Sequence, residues 1–128
     1  MAGQLTIDTL KASSGILATQ NGMTGIAKAW VNFSGVTTVT VNKSFNVSSV
    51  TRSSAGVYVI TMTTAMADAN YAIQMSCASA SGSYIYVANL QSGTTPTTTS
   101  FTIQGFAQIS GVTSGSDLQN AYISVFGT

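Results

Sequence analysis

In the run Ala27-Lys28-Ala29-Trp30-Val31-Asn32-Phe33-Ser34-Gly35, side chains alternate with a period of two. Ala27, Ala29, Val31 and Phe33 fall on one face of an extended strand, and Lys28, Trp30 and Asn32 fall on the other. The first set is the core face. The second places the only tryptophan beside a cation and an amide, where so large a ring needs a cover: a loop, another subunit or a ligand.

The same alternation recurs along the chain in short runs separated by Gly, Ser, Asn and Asp, the pattern of antiparallel strands. Strands are expected at 5–10, 26–33, 36–41, 44–50, 57–63, 71–78, 84–90, 100–106 and 121–126, and no segment carries a sustained helical stripe. Strands at this spacing predict an all-β, antiparallel β-sandwich, jelly-roll-like, over residues 26–128. Arg52 to Gly56 reads as a hairpin loop with Gly56 available for positive φ, and Ala67 to Asn70 as a second turn. Gln91 to Thr99, which holds the only proline, Pro96, reads as an exposed loop or sheet crossing. Residues 1–25 alternate weakly and are broken by glycines, as in an N-terminal arm, a peripheral hairpin or a frayed terminus.

Composition says what kind of surface this sandwich has. Charged residues are 5% of the 128, against about 25% in an ordinary soluble domain. Ser, Thr and Gly take their place. With mean hydropathy of +0.32 and little charge repulsion between copies, an obligate oligomer is expected. Lys11, Lys28, Lys43 and Arg52 are dispersed, so no basic patch can neutralise several phosphates, and nucleic acid is not an expected partner. No apolar run is long enough to span a membrane, and Met1 to Leu10 lacks the pattern of a signal peptide, so the chain is expected to remain soluble in the cytoplasm where it is made. Cys77, the single cysteine, lies on an alternating strand and reads as a small buried hydrophobe.

The catalytic inventory is short. There is no histidine and no glutamate, which removes Ser-His-Asp, Cys-His and imidazole-zinc chemistry. Asp8, Asp68 and Asp117 are far apart and each sits near turn residues. A glycosidase pair would require folding to bring Asp68 to Asp117. Clustered oxygen ligands for calcium and a phosphate-cradling glycine loop are absent, so no cofactor or metal is expected. Asn32, Asn42 and Asn46 each begin an N-x-S triplet, expected by chance in a chain this rich in Asn and Ser. Tyr84 and Tyr86 share one strand face and Ile85 and Val87 the other, so one pair should be core and the other outward or interfacial.

The strings KAWVNFSG (28–35), SFNVSSVT (44–51), GVYVITMTTAM (56–66), DANYAI (68–73), PTTTS (96–100) and AYISVFG (121–127) resemble, in order, a virion surface module of tailed bacteriophages, cyanophages among them. That module is found near the ends of tail-fibre-like proteins, and LTIDTLKASSG (5–15) is similar to the segment that precedes it. The resemblance implies an all-β, homotrimeric, non-enzymatic protein on the virion surface. Little sequence precedes the module here, which points to a capsid decoration or cement protein docked on the major capsid protein. Leu5, Ile7 and Leu10 are then candidate capsid-attachment residues, and Trp30, Tyr84 and Tyr86 candidate subunit or capsid contacts. The alternative is the receptor-binding tip of a tail or head fibre, joined to a tail or fibre protein, with Gln91 to Thr99 and Ser110 to Asp117 as distal loops against host glycans. A polysaccharide-degrading spike using Asp68 or Asp117 is a third class.

Overall fold

A computed structural model describes residues 25–78, 84–109 and 112–127. Its elements are β1 (Ala29–Ser34), β2 (Thr40–Phe45), β3 (Val47–Ser54), β4 (Val57–Met62), β5 (Ala72–Ala78), β6 (Ile85–Leu90), β7 (Ser100–Ile109), β8 (Val112–Gly115) and β9 (Asn120–Phe126). They form two antiparallel sheets, one in the order β2-β1-β9-β5 and the other β3-β4-β7-β6, with β8 paired to the far end of β7. The protein is an all-β sandwich.

Inward alternation builds the core. Ala29, Val31 and Phe33 from β1 and Ala121, Ile123 and Val125 from β9 face Tyr58, Ile60 and Met62 from β4 and Phe101 and Ile103 from β7. The Phe33 and Tyr58 rings meet edge-on, with centroids 5.2 Å apart, a geometry that aligns ring edge with ring face. Leu118 is fully buried in the same cluster, although it precedes β9 and belongs to no strand. Lys28 differs from expectation: it is 1% exposed and does not share the outer face with Trp30. β1 begins one residue later, so Lys28 lies ahead of the alternation, with its amide donating to Val125 O at 2.7 Å and its carbonyl accepting from Asn46 Nδ2 at 3.0 Å.

Asn46 is where the chain changes sheet. The expected break at residues 42–43 falls instead at this residue, the only one between β2 and β3. Its φ of 53° is left-handed, a region that asparagine tolerates better than most residues. Its side chain holds the corner: Oδ1 accepts from Thr64 N at 2.7 Å, and Nδ2 donates to Lys28 O and Thr64 O. Residues 42 and 43 instead form a β-bulge opposite Asn32, bridged by Asn42 Nδ2 donating to Asn32 Oδ1 at 3.0 Å. All three N-x-S asparagines thus have structural partners.

The expected hairpin at Arg52 to Gly56 joins β3 to β4, with Gly56 at φ 75°. The expected turn at Ala67 to Asn70 is closed by Asn70 N donating to Asp68 Oδ1 at 2.7 Å. Gln91 to Thr99 connects β6 to β7 within one sheet; it is an exposed hairpin loop and not a sheet crossing. β8 was not anticipated, because Val112 to Gly115 contains one apolar residue and shows no alternation.

Register divides the molecule into two poles. At the first, Lys28 and Val125 meet beside Asn46, Thr64, Met66 and Tyr71. At the second, Gly35, Arg52, Gly56 and Asp117 meet beside the β7–β8 end.

Candidate functional site

The densest polar cluster lies at the second pole and centres on Asp117. Its carboxylate accepts from Arg52 Nε at 2.9 Å and Arg52 Nη2 at 3.0 Å, a two-pronged pair. It also accepts from Gly56 N at 2.8 Å and Tyr58 OH at 3.0 Å. The Tyr58 hydroxyl accepts from Leu118 N at 3.0 Å and shares its one proton between Asp117 and Gly35 O. A β-carbon at Gly35 would clash with the hydroxyl end of the Tyr58 ring, so only glycine lets the backbone approach this closely.

The arrangement explains the electrostatics. The Arg52 guanidinium, then the Gly56 amide and the Tyr58 hydroxyl, hold the Asp117 carboxyl down to about 2. Burial pushes the Tyr58 phenol up to about 12. A carboxylate that accepts from these four donors and, at 3.5 Å, from Thr37 N, and a phenol this reluctant to ionise, are poor general bases at neutral pH. The cluster ties the β1–β2 connection, the β3–β4 hairpin and the approach to β9 into one clip. Burial likewise raises the Cys77 thiol, which disfavours the reactive thiolate.

Other candidate groups remain apart. Asp68 closes its turn near the first pole while Asp117 sits at the second, so folding does not bring these two carboxylates together. Among the described residues no group of three His, Cys, Asp or Glu side chains could hold a metal. No described helix is long and apolar enough to cross a membrane.

What the sandwich does present is apolar surface. On the outer face of the first sheet, Trp30 lies half-buried directly opposite Phe45, and Asn32 is flanked by Tyr122 on β9 and Lys43 on β2. Phe45 and Tyr122 are exposed. On the second sheet, the choice between the β6 pairs is resolved: Tyr86 and Ala88 pack against the core, while Ile85 and Val87 face outward at 64% and 44% exposure. Tyr84 precedes the strand and is half-buried. Tyr86 is therefore an inward residue, and the outward apolar contacts of this strand belong to its neighbours. Leu5, Ile7 and Leu10 lie outside the described residues, as does part of the Ser110 to Asp117 segment.

The two loops expected to act together do not sit together. Tyr71 OH donates to Thr97 O at 2.7 Å and Met66 N to Thr98 O at 2.8 Å, and a β-carbon at Gly127 would press on both Tyr71 and Met66. Gln91 to Thr99 is thus held at the first pole, beside Met66, Tyr71 and Gly127, while residues 112–117 are at the second. The loop is also well ordered internally, with Thr97 Oγ1 accepting from the amides of Thr99 and Ser100.

These features define an all-β sandwich whose Asp68 and Asp117 carboxylates serve its own turns and whose exposed surface, among the described residues, is nearly uncharged, with large apolar side chains set among hydroxyls and amides. Comparison with protein-family models, with curated proteins and with solved structures found no match.

Proposed function

We propose that this chain is a non-enzymatic structural protein of a bacteriophage virion, a homotrimer that decorates the capsid and stabilises the shell. The observation that carries the reading is the pairing of large outward side chains with almost no charge: Trp30, Phe45 and Tyr122 on one sheet, Ile85 and Val87 on the other. Such surface is stable in water when it is covered by protein. The ordered resemblance to a phage surface module supports the setting, and the saturated Asp117 cluster supports a structural role over a catalytic one.

The action is mechanical. A trimer that binds assembled capsomers better than separated ones shifts the equilibrium towards the intact shell by mass action, without chemistry. Counting this protein in purified particles tests it. Decoration requires a copy number that scales with the capsid subunits, and absence from the particle overturns the reading.

A second reading, a receptor-binding tip, is favoured by one observation: residues 112–117 lie at the pole opposite the one where Lys28 meets Val125, where a tip would present them. Three weak contacts would act together in a trimer. A copy number matching tails or fibres would select it.

A further inference from the structure

Besides the short β8, which flanks the end of β7, the two sheets end in β2, β5, β3 and β6, and these four edges are not equivalent. β2 carries Lys43 and β3 carries Arg52, and because β2 runs into β3 through Asn46 alone, these two edges lie on one side of the sandwich. β5 (AIQMSCA) and β6 (IYVANL) form the opposite side, in contact with each other across the two sheets, and carry no charge. A cation on an edge strand is a recognised barrier to strand pairing with another chain, and an uncharged apolar edge lacks that barrier. β6 is the least protected. It pairs only with β7 among the described strands, and Ile85 is the most exposed large hydrophobic among them.

We infer that the β5–β6 side is the surface through which copies of this chain assemble, with Ile85 and Val87 at its centre. The inference rests on the homotrimer reading and says which face builds it. A second copy is the partner that this surface fits. It offers backbone donors and acceptors in alternation along β6, which another uncharged edge can match, and no charge that would select a charged ligand. Two such sides meet without burying Lys43 or Arg52, whereas contact through β2 or β3 would desolvate a cation. A net charge of +1 adds little long-range repulsion between copies. In a closed ring around a three-fold axis the three β5–β6 sides converge on the axis, which brings the copies of residue 85 towards one another and leaves no β6 edge open to further addition.

The test is sedimentation velocity on the full chain and two variants. The wild type is expected to sediment as a trimer and Ile85→Lys/Val87→Lys as a folded monomer. Val41→Lys, which puts a cation at an exposed position of the already protected β2 edge, is expected to remain a trimer. A wild-type monomer would sink the homotrimer reading and this inference with it; a trimeric wild type whose double variant is also trimeric overturns the inference alone. In case the double variant fails to fold, single cysteines are placed at 85 or 41 in a Cys77→Ala background and oxidised. Ile85→Cys should give a covalent dimer on a non-reducing gel and Val41→Cys should not. The opposite pattern overturns the assignment.

Discussion

The two sides of this sandwich are built on different terms. Where β2 becomes β3 and β3 turns into β4, nearly every bend is fastened by a polar side chain: Asn46 at the sheet change, Asn42 on Asn32 at the bulge, Arg52 on Asp117 beneath the hairpin. Where β5 and β6 run side by side, the strands present Ala72, Gln74, Ser76, Ile85 and Val87 outward with no charge. In a chain with so few charges, Arg52, Asp117, Asn42 and Asn46 fix chain reversals on the first side, and the second side carries no charge. Changes on the first side should therefore cost folding stability. Changes on the second should leave the folded monomer almost unaffected.

The sharpest break in that contrast is expected from Asp117→Ala. It leaves the Gly56 amide and the Tyr58 hydroxyl without their shared acceptor, at a cost of about 2–3 kcal/mol, read as a lower denaturant midpoint with unchanged m-value. A midpoint equal to wild type would show that water replaces the carboxylate without loss.

Acid provides a milder version of the same break. The Asp117 carboxyl is held below its unfolded value, so the stability it contributes is fully present above pH 3.8 and is lost as pH falls through about 2. Solvent reaching the outer side of the pair reduces this to about 1 kcal/mol. The unfolding free energy should fall across that window in the wild type, and this component of the fall should be missing in Asp117→Asn.

Asn46→Ala removes three side-chain hydrogen bonds and forces alanine into a left-handed conformation, for a loss of about 1–2 kcal/mol. Asn46→Gly, which relieves the conformational part, should lose less, and thermal melting of the two variants separates the contributions. Thr37, with φ of 59° in the exposed β1–β2 connection, works in the other direction. A β-branched residue is strained there, so Thr37→Gly should raise stability by about 0.5–1 kcal/mol. The smallest effect is expected on the uncharged side, where Ile85→Ser, measured under conditions that keep the chain monomeric, should change stability by less than about 0.5 kcal/mol.

The fold was legible where side chains alternate and obscure where they do not. β1, β4, β5, β6, β7 and β9 fell close to their expected positions, because apolar residues recur at every second position in them, as Val31 does with Ala29 and Phe33 and Ile103 does between Thr102 and Gln104, and so reveal which face is buried. β2 and β3 were misplaced because TVNKSF is exposed throughout, so burial leaves no period in it. The signal that would have located the boundary is an asparagine, Asn46, between the apolar residues Phe45 and Val47. The Asp117 clip was invisible because its members are separated by 59 to 65 positions, and nothing local links Arg52 or Tyr58 to a carboxylate so far along the chain. The outward residues of β6 were narrowed to two pairs, and only the packing of Tyr86 and Ala88 against the core selected Ile85 and Val87. Charge at the edges needed the same order, since Lys43 and Arg52 acquire meaning only once β2 and β3 are known to be terminal strands.

One further property follows from β1 and β9 lying side by side and antiparallel, with Lys28 N bonded to Val125 O at 2.7 Å. The chain enters and leaves the sandwich at a single pole. Tension applied between Lys28 and Val125 would open the β1–β9 ladder like a zipper, one pair of bonds at a time. Tension between that pole and the opposite one runs along the strands and loads whole ladders in shear, with many bonds resisting together. A body held at the first pole and pulled from the second is thus loaded along its strong axis.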